Sequence, residues 1–295
     1  MQLHYYKLIK TKTNAVSLSY EQTKKKEIVM YRRYLIAAAA IMLVVSSLAF
    51  AQIDKIAIFN EQVGWTTTDV ALAATDEIIA MVTVANEVVV LNDADMGAFA
   101  EANTGDGDFD IILTFGYFPT SLYTPENVDA DGSVGEMFLE GGDMFLNTAD
   151  YIFYVTEGGG VNGDAALKNI TDSNLDLWTD GNICEPTAEG LGYAPSMPAS
   201  ITAPRAFRLD QVEAEPEWEL EMAFALGTDG TMADPVIIRN TVYGGRIGGA
   251  FHVSDDTMPR GAVMGEMIEN YIGANVTAVK PAAKVTSTWG SVKSF

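Results

Sequence analysis

The sequence predicts a single α/β domain built on an open, mostly parallel β-sheet with helices on both faces. Two observations predict this fold. Apolar runs of strand length alternate with segments of helical periodicity after residue 51, which is the pattern of a parallel sheet. The runs are apolar at nearly every position, as expected for strands that are covered on both faces.

Local signals give the elements of this alternation in order. Residues 66–69 offer N-cap side chains, and the residues after them place Val70, Ala74 and Ile78 on one helical stripe. A later helix is expected to end at Gly141-Gly142. The predicted series is strand 55–60, helix 70–81, strand 87–91, helix 95–102, strand 110–115, helix 133–140 and strand 143–147.

The second half of the chain is less regular. Residues 151–204 are rich in Gly, Asn and Asp, so we expect a long insertion with short helices there. This insertion is followed by a helix, by two strands joined by a turn at Tyr243-Gly244, by a helix that begins at Pro259, and by a Ser/Thr-rich tail. Their predicted bounds are helix 213–226, strands 235–239 and 245–252, helix 260–272 and tail 274–295.

The N-terminal region has the three parts of a secretory signal peptide. Residues 31–33 are basic, residues 35–50 form an apolar run, and Ala49-Phe50-Ala51 is a small-x-small cleavage site. The run is shorter than the roughly 20 residues of a spanning helix, although an uncleaved anchor is the alternative. We expect cleavage after Ala51 and a secreted or periplasmic protein. Because Met30 gives a signal peptide of normal layout over 30–51, residues 1–29 are expected to be untranslated leader.

Charge and cysteine content exclude several classes of protein. The chain has 18 Lys and Arg against 40 Asp and Glu, a net charge of −22. The first 51 residues hold eight of these basic residues and two of the acidic ones, which leaves 10 against 38, a net charge of −28, in the remainder. Such an acidic protein is not expected to bind nucleic acid, or to contact a membrane except during export. The single cysteine, Cys184, excludes a disulfide scaffold.

Four segments carry a resemblance to a known family: Ile56-Ala-Ile-Phe-Asn60, Asp110-Ile-Ile-Leu-Thr-Phe-Gly116, Phe138-Leu-Glu-Gly-Gly-Asp-Met-Phe-Leu-Asn147 and Gly244-Gly-Arg-Ile-Gly-Gly-Ala-Phe-His252. In spacing they resemble the class I glutamine amidotransferase-like superfamily, including its ThuA-like branch of sugar-associated proteins. The resemblance implies a flavodoxin-like sheet in one domain over residues 52–273.

The chain departs from this family where the family's chemistry resides. Amidotransferases place a cysteine at a tight strand-to-helix turn, whereas the matching turn here, 147–150, reads Asn-Thr-Ala-Asp. Thr148 is the only hydroxyl that could replace the thiol, and Asp150 is the adjacent carboxylate. His252 resembles the family's base, with Asp255 or Asp256 as its orienting carboxylate. Without a nucleophile, His252 is expected to be structural or ligand-orienting.

The loops after the first and third strands are the expected ligand site. In an open parallel sheet, these loops border the crevice at the carboxyl ends of the strands. Aromatic residues there suit stacking against sugar rings; they are Trp65, Tyr117, Phe118 and Tyr123. The predicted ligand-binding residues are Trp65, Gly116, Tyr117, Asp150 and His252, with a small molecule or carbohydrate as partner.

One acidic loop is a calcium candidate. Asn127, Asp129 and Asp131 stand at positions one, three and five of a calcium-loop pattern, and Gly132 stands at position six. The pattern fails at position twelve, where Phe138 replaces the expected glutamate. The alternative is a solvated turn, and no other cofactor is expected.

Three functions follow from these observations. The first is an exported, non-catalytic amidotransferase-like domain that binds a small ligand or glycan. The second is a carboxylate- or metal-dependent hydrolase; its candidate residues are Asp143, Asp150, His252, Asp255 and Asp256. The third is a structural module of the cell envelope with residues 280–295 used for attachment. The sequence does not identify a protein partner, and the missing cysteine favours the non-catalytic alternative.

Overall fold

The structure, a computed structural model, describes residues 53–127, 132–176 and 181–275. The predicted leader, the predicted signal peptide and all but the first two residues of the predicted tail lie outside these ranges. Two of the three calcium candidates, Asp129 and Asp131, also lie outside them.

The strands are β1 (Ile53–Phe59), β2 (Ala85–Val90), β3 (Phe109–Thr114), β4 (Tyr117–Phe118), β5 (Met144–Thr148), β6 (Val155–Thr156), β7 (Gly160–Val161), β8 (Asn182–Pro186), β9 (Ile201–Ala203), β10 (Phe207–Arg208), β11 (Trp218–Ala223), β12 (Ala225–Gly227), β13 (Met232–Ala233), β14 (Val236–Asn240) and β15 (Arg246–Ala250). The helices are α1 (Thr68–Met81), α2 (Asp93–Asn103), α3 (Val134–Glu140), α4 (Ala165–Thr171), α5 (Ala188–Tyr193), α6 (Leu209–Ala214) and α7 (Arg260–Glu266). A 3₁₀ turn covers Glu157–Gly159, and a π-helix, Met267–Ile272, continues α7.

A seven-stranded sheet forms the centre of the fold, in the order β11-β14-β15-β5-β3-β1-β2. Five strands, from β2 to β15, are parallel to one another; β14 pairs antiparallel with β15, and β11 pairs antiparallel with β14. The predicted fold class is therefore confirmed. The parallel strands follow the doubly wound order of flavodoxin-like folds, in which the direction of winding reverses between β1 and β3.

Helices cover both faces of this sheet, and β1 shows how. Ile56 and Ile58 pack with α1 and α7 on one face, whereas Ala57 and Phe59 pack with α2 and α3 on the other. Every second residue of a strand points to the same face, so a strand covered on both sides is apolar throughout.

The N-cap predicted within residues 66–69 is present, and two further helices are capped in the same way. Thr67 accepts a hydrogen bond from the Val70 N–H at the start of α1. Asn92 and Ser133 cap α2 and α3 in the same way. Each cap satisfies a backbone donor that has no partner within the helix.

The predicted helix over 213–226 is wrong. The helix in this region, α6, ends at Ala214, and the chain then forms β11 and β12. Pro216 interrupts the helical pattern because it has no N–H and clashes with the preceding turn. Pairing with β14 then satisfies the backbone of β11, with Trp218 and Met222 buried and Leu220 42% exposed.

Residues 151–204 form the short helices α4 and α5 and also contribute strands to two small sheets. One has the order β4-β6-β7 and the other β10-β13-β12-β8-β9. Phe153, Leu167 and Ile170 share an apolar cluster with Phe118 and Phe145, which anchors this region to one face of the central sheet. Within the described ranges, no helix has the length and apolar character needed to cross a membrane.

Candidate functional site

The segments that follow β1, β3, β5 and β15 converge at the carboxyl edge of the sheet. Backbone hydrogen bonds join them: the Gly64 N–H donates to the Phe115 carbonyl (2.7 Å) and the Trp65 N–H to the Ala149 carbonyl (2.7 Å). The Ala149 N–H donates to the Phe251 carbonyl (3.2 Å). Four strand ends are thus held in fixed relative positions.

Two non-glycine residues in this cluster have left-handed backbone conformations. Ala149 follows β5 with φ 59°, and Phe251 follows β15 with φ 58°. Each such residue costs about 1–3 kcal/mol, and such costs tend to cluster at functional sites. The hydrogen bond between these two residues shows that the strained positions support one another.

The turn after β5 is where the resemblance implies the family's nucleophile. Ala149, the residue with the left-handed conformation, brings only a buried methyl group. Thr148 is also buried, and its Oγ1 makes no hydrogen bond with any described residue, so no base is in position to accept its proton. Cys184 is buried in β8, and desolvation together with the charge of Asp234 raises its pKa to about 12. A thiol of this kind is a poor nucleophile at neutral pH.

Asn147 holds this turn together. Its Oδ1 accepts hydrogen bonds from Thr114 Oγ1 (2.7 Å) and from the Gly116 N–H (3.2 Å). Its Nδ2 donates to the Asp150 carbonyl (3.0 Å). This one buried amide therefore connects the ends of β3 and β5, and nothing in the local sequence pattern identifies it.

His252 lies at the end of β15 and is 1% exposed. Its ring stacks on Phe207 with centroids 5.6 Å apart, and neither ring nitrogen makes a hydrogen bond within the described structure. The nearest carboxylate is that of Asp234, whose Oδ2 lies 3.6 Å from His252 Nδ1. Asp234 also accepts the backbone N–H groups of Phe251 and His252.

The structure therefore corrects the expected orienting carboxylate from Asp255 or Asp256 to Asp234. Asp255 Oδ1 accepts hydrogen bonds from Thr257 instead, and Asp256 accepts one from the Thr66 hydroxyl. Asp234 precedes β14 and is brought to His252 by the antiparallel pairing of β14 with β15. Asp255 and Asp256 are closer to His252 in sequence, but the carboxylate closest to its ring in space is that of Asp234.

Asp150 lies close to His252 and Arg205. It is 4% exposed, and burial raises its pKa to about 7, although the charges of His252 and Arg205 act to lower it. The Arg205 guanidinium lies 4.1 Å from the centroid of the Tyr151 ring and 5.7 Å from that of Trp65. Three of the predicted residues, Trp65, Asp150 and His252, thus lie in one region, together with Arg205 and Tyr151, which the sequence did not single out.

The space next to His252 is small. A cavity of about 10 Å³ is lined by Tyr151, Ile152, Leu167, Asp176, Arg205, Phe207 and His252. This volume holds about one water molecule. The His252 region is closed to a substrate in this conformation.

A larger, open crevice of about 400 Å³ lies at the carboxyl ends of β1 and β3. It is lined by Glu61, Gln62, Val63, Thr68, Tyr117, Gly158 and Gly159. Gln62 Oε1 accepts a hydrogen bond from the Gly158 N–H (2.8 Å) and so joins opposite walls. Ligands bind at this switch point in open α/β sheets, and the volume is in the range of small-molecule sites.

Gly116 connects the two regions. Its φ is 97°, and a Cβ at this position would lie 2.4 Å from the Ala149 carbonyl oxygen and 2.9 Å from Asp150 Cβ. The next residue, Tyr117, is half-buried and lines the crevice. The other two aromatic candidates, Phe118 and Tyr123, are buried in the core and are not available for stacking on a ligand.

Asp143 lies at the opposite edge of the sheet from His252. It precedes β5 at the amino end, where its Oδ1 accepts the Asp110 N–H (3.0 Å). Burial raises its pKa to about 9. Of the predicted hydrolase residues, only Asp150 and His252 interact within the buried region.

The calcium candidate can be described only at Asn127. Its Oδ1 accepts a hydrogen bond from the Thr124 N–H (2.9 Å), and its Nδ2 donates to the Gly132 carbonyl (3.1 Å), so the side chain closes its own turn. Within residues 53–127, 132–176 and 181–275, no three His, Cys, Asp or Glu side chains form a metal-binding group.

Among solved structures, a ThuA-like protein from Bacteroides uniformis is similar to this chain. The sequences are 11% identical, the TM-score is 0.44, and the alignment covers 77% of this chain and 92% of that protein. No protein-family model matches the chain, and no curated protein matches it. The fold class therefore rests on the observed strand order, and no functional residue is inferred from this likeness.

Proposed function

We propose that this protein is an exported, non-catalytic domain that binds a small molecule or a glycan in the crevice at the carboxyl ends of β1 and β3. Export is supported by the signal-peptide pattern of residues 30–51. The observation that carries the proposal is the contrast between the two regions of the site. The turn that would bear a nucleophile holds Ala149 instead, and the cavity next to His252 has room for about one water molecule, whereas the crevice is open.

The chemistry of the crevice suits a neutral, hydroxyl-rich ligand. Tyr117 offers an aromatic face, and sugar rings stack on such faces through their apolar C–H groups. Gln62 and Thr68 offer an amide and a hydroxyl as hydrogen-bonding groups, and Glu61 adds an acceptor. The negative charge of Glu61 disfavours phosphates and other anions.

Replacing Tyr117 with alanine is expected to weaken sugar binding by at least about tenfold, the equivalent of about 1.4 kcal/mol. The variant loses the aromatic face but no backbone contact. Isothermal titration of neutral mono- and disaccharides into the wild-type chain and into Tyr117→Ala tests this. The control Tyr193→Ala removes a half-buried tyrosine from α5, outside the crevice, and should bind like wild type. If all three proteins bound every sugar with equal affinity, the ligand site would not be the crevice at Tyr117. If wild type bound no sugar, the proposed binding function would be wrong.

A second candidate, a hydrolase, is favoured by one observation. His252 Nδ1 lies 3.6 Å from Asp234 Oδ2, and the charge of His252 also acts on Asp150; a histidine paired with a carboxylate is a general-base arrangement. We expect no turnover of chromogenic amides or glycosides, because no nucleophile is in reach and the cavity excludes a substrate. Turnover that His252→Gln abolishes and Tyr117→Ala retains would replace the binding function with this one. Metal analysis of the purified protein would then decide whether an ion takes part.

A further inference from the structure

The first residue of α2 holds the carboxylate of Glu61, which lines the crevice. Glu61 Oε2 accepts a hydrogen bond from the Asp93 N–H (3.2 Å). This N–H has no partner inside the helix, and a negative charge is favoured at a helix N-terminus. Glu61 is solvent-exposed, and its Oε1 makes no hydrogen bond with any described residue. One carboxylate oxygen is therefore fixed, and the other is available to a ligand.

Asp93 also fixes the segment that follows Tyr117. Its carboxylate accepts hydrogen bonds from the Thr120 N–H (2.7 Å), the Thr120 hydroxyl (2.6 Å) and the Ser121 N–H (2.8 Å). The Ser121 hydroxyl in turn donates to the Asp93 carbonyl. Because Tyr117 comes only a few residues before Thr120 in the sequence, Asp93 connects the segments that carry Glu61 and Tyr117. The carboxylate and the aromatic residue thus belong to one hydrogen-bonded framework.

Gln62, the next residue, offers the opposite hydrogen-bonding character. Its Oε1 accepts the Gly158 N–H (2.8 Å) and is therefore engaged by the wall of the crevice. Its Nε2 makes no hydrogen bond with any described residue, so that the amide is left with its donor groups. An ionised carboxylate such as that of Glu61 only accepts. Two consecutive residues of the crevice therefore present one acceptor and one donor.

A pair of adjacent hydroxyl groups matches this arrangement better than a charged group does. Each hydroxyl can donate and accept, so one can donate to Glu61 while its neighbour accepts from Gln62. An ammonium group only donates, which leaves Gln62 without an acceptor. A phosphate only accepts and is repelled by Glu61, and no lysine or arginine is among the described residues that line the crevice.

We propose that Glu61 is the specificity-determining residue of the crevice, and that Glu61 and Gln62 together recognise two adjacent hydroxyl groups of a sugar ring that stacks on Tyr117. The inference rests on the proposed function, since it requires the crevice to be the ligand site. It narrows the ligand class to sugars in which both of these hydroxyl groups are present and unsubstituted. A sugar that is deoxygenated or methylated at either position is expected to bind more weakly.

Deoxy sugars test which hydroxyl groups the crevice recognises. The methyl α-glycosides of glucose, galactose and mannose are titrated into the full chain by calorimetry, followed by the 2-, 3- and 4-deoxy forms of the tightest binder. In wild type, loss of either of two adjacent hydroxyl groups should weaken binding, one of them by about tenfold because it donates to a charged acceptor. In Glu61→Ala this cost should fall to within about twofold, whereas the other should remain. The control Glu213→Ala removes an exposed glutamate outside the crevice and should keep both costs.

Deoxy costs that are the same in wild type and in Glu61→Ala would overturn the inference. Binding of glucosamine at least about tenfold tighter than that of glucose would also overturn it, because the crevice would then select a cation. These results differ from failure of the proposed function, in which wild type binds none of the sugars and both proposals fall. If a sugar binds and Tyr117→Ala weakens its binding, but no adjacent pair of deoxy forms binds more weakly than the parent, the binding function stands and the inference is wrong.

Discussion

Replacing Gly116 with alanine is expected to destabilise the protein by at least about 3 kcal/mol. Two effects combine: a side chain at φ 97° costs about 1–3 kcal/mol in backbone strain, and forcing a methyl group into a packed site costs a similar amount. The methyl group would lie 2.4 Å from the Ala149 carbonyl oxygen and 2.9 Å from Gly64 Cα, both of which are backbone atoms that cannot rotate away.

A matched control separates these two effects. Gly107 has the same φ of 97°, but a Cβ there would meet no atom within 4 Å. Gly107→Ala should therefore show only the backbone cost, and urea unfolding of the two variants gives the difference. If the two substitutions cost the same free energy of unfolding, the strand ends do not approach one another as closely as described.

Replacing Asp143 with asparagine is expected to flatten the pH dependence of stability. The side chain is fully buried, and burial raises its pKa from 3.8 to about 9, with the neighbouring carboxylates of Asp110, Asp106 and Asp108 acting in the same direction. Between these values the folded protein holds a proton that the unfolded chain has released. Because the folded state binds more protons, stability is fully present below about pH 4 and falls as pH rises toward 9.

The size of this effect follows from linkage. One such proton changes the free energy of unfolding by about 1.4 kcal/mol per pH unit, so Asp143→Asn should gain up to about 4 kcal/mol on wild type between pH 5 and pH 8. The amide oxygen can still accept the Asp110 N–H. Asp76→Asn makes the same chemical change on the exposed side of α1 and should leave the wild-type slope intact.

Urea unfolding at pH 5, 6, 7 and 8 measures these slopes. The Asp143→Asn variant should keep part of the wild-type pH dependence of stability, because burial also raises the pKa of Asp110 and Asp150 to about 7. A variant that is less stable than wild type by the same amount at every pH would show that Asp143 is charged in the folded protein.

The central sheet could be predicted from sequence because its signals are local. Runs such as residues 55–60 are apolar on both faces, and the capping side chains of Thr67 and Ser133 immediately precede their helices. The failure over residues 213–226 also has a local cause. Pro216 stops the helix, and the pairing of β11 with β14, which the local pattern does not encode, determines what replaces it.

The site could be predicted only in part. Trp65 is predicted from its loop after the first strand, and Asp150 and His252 from the resemblance; the three do lie in one region. Asp234 and Arg205 were missed because they reach that region through β14 and through the segment before β10. Sequence reasoning also could not separate a closed cavity from an open crevice, since that difference depends on side-chain packing.

We propose that the crevice at the carboxyl ends of β1 and β3, and not the His252 cavity, binds the ligand. The most direct measurement is a titration of the isotope-labelled protein with the tightest-binding sugar of the panel, followed by amide chemical shifts. Binding in the crevice is expected to shift the amide signals of Gln62, Tyr117, Gly158 and Gly159. Shifts confined to the amides around Tyr151, Arg205 and His252 would contradict it.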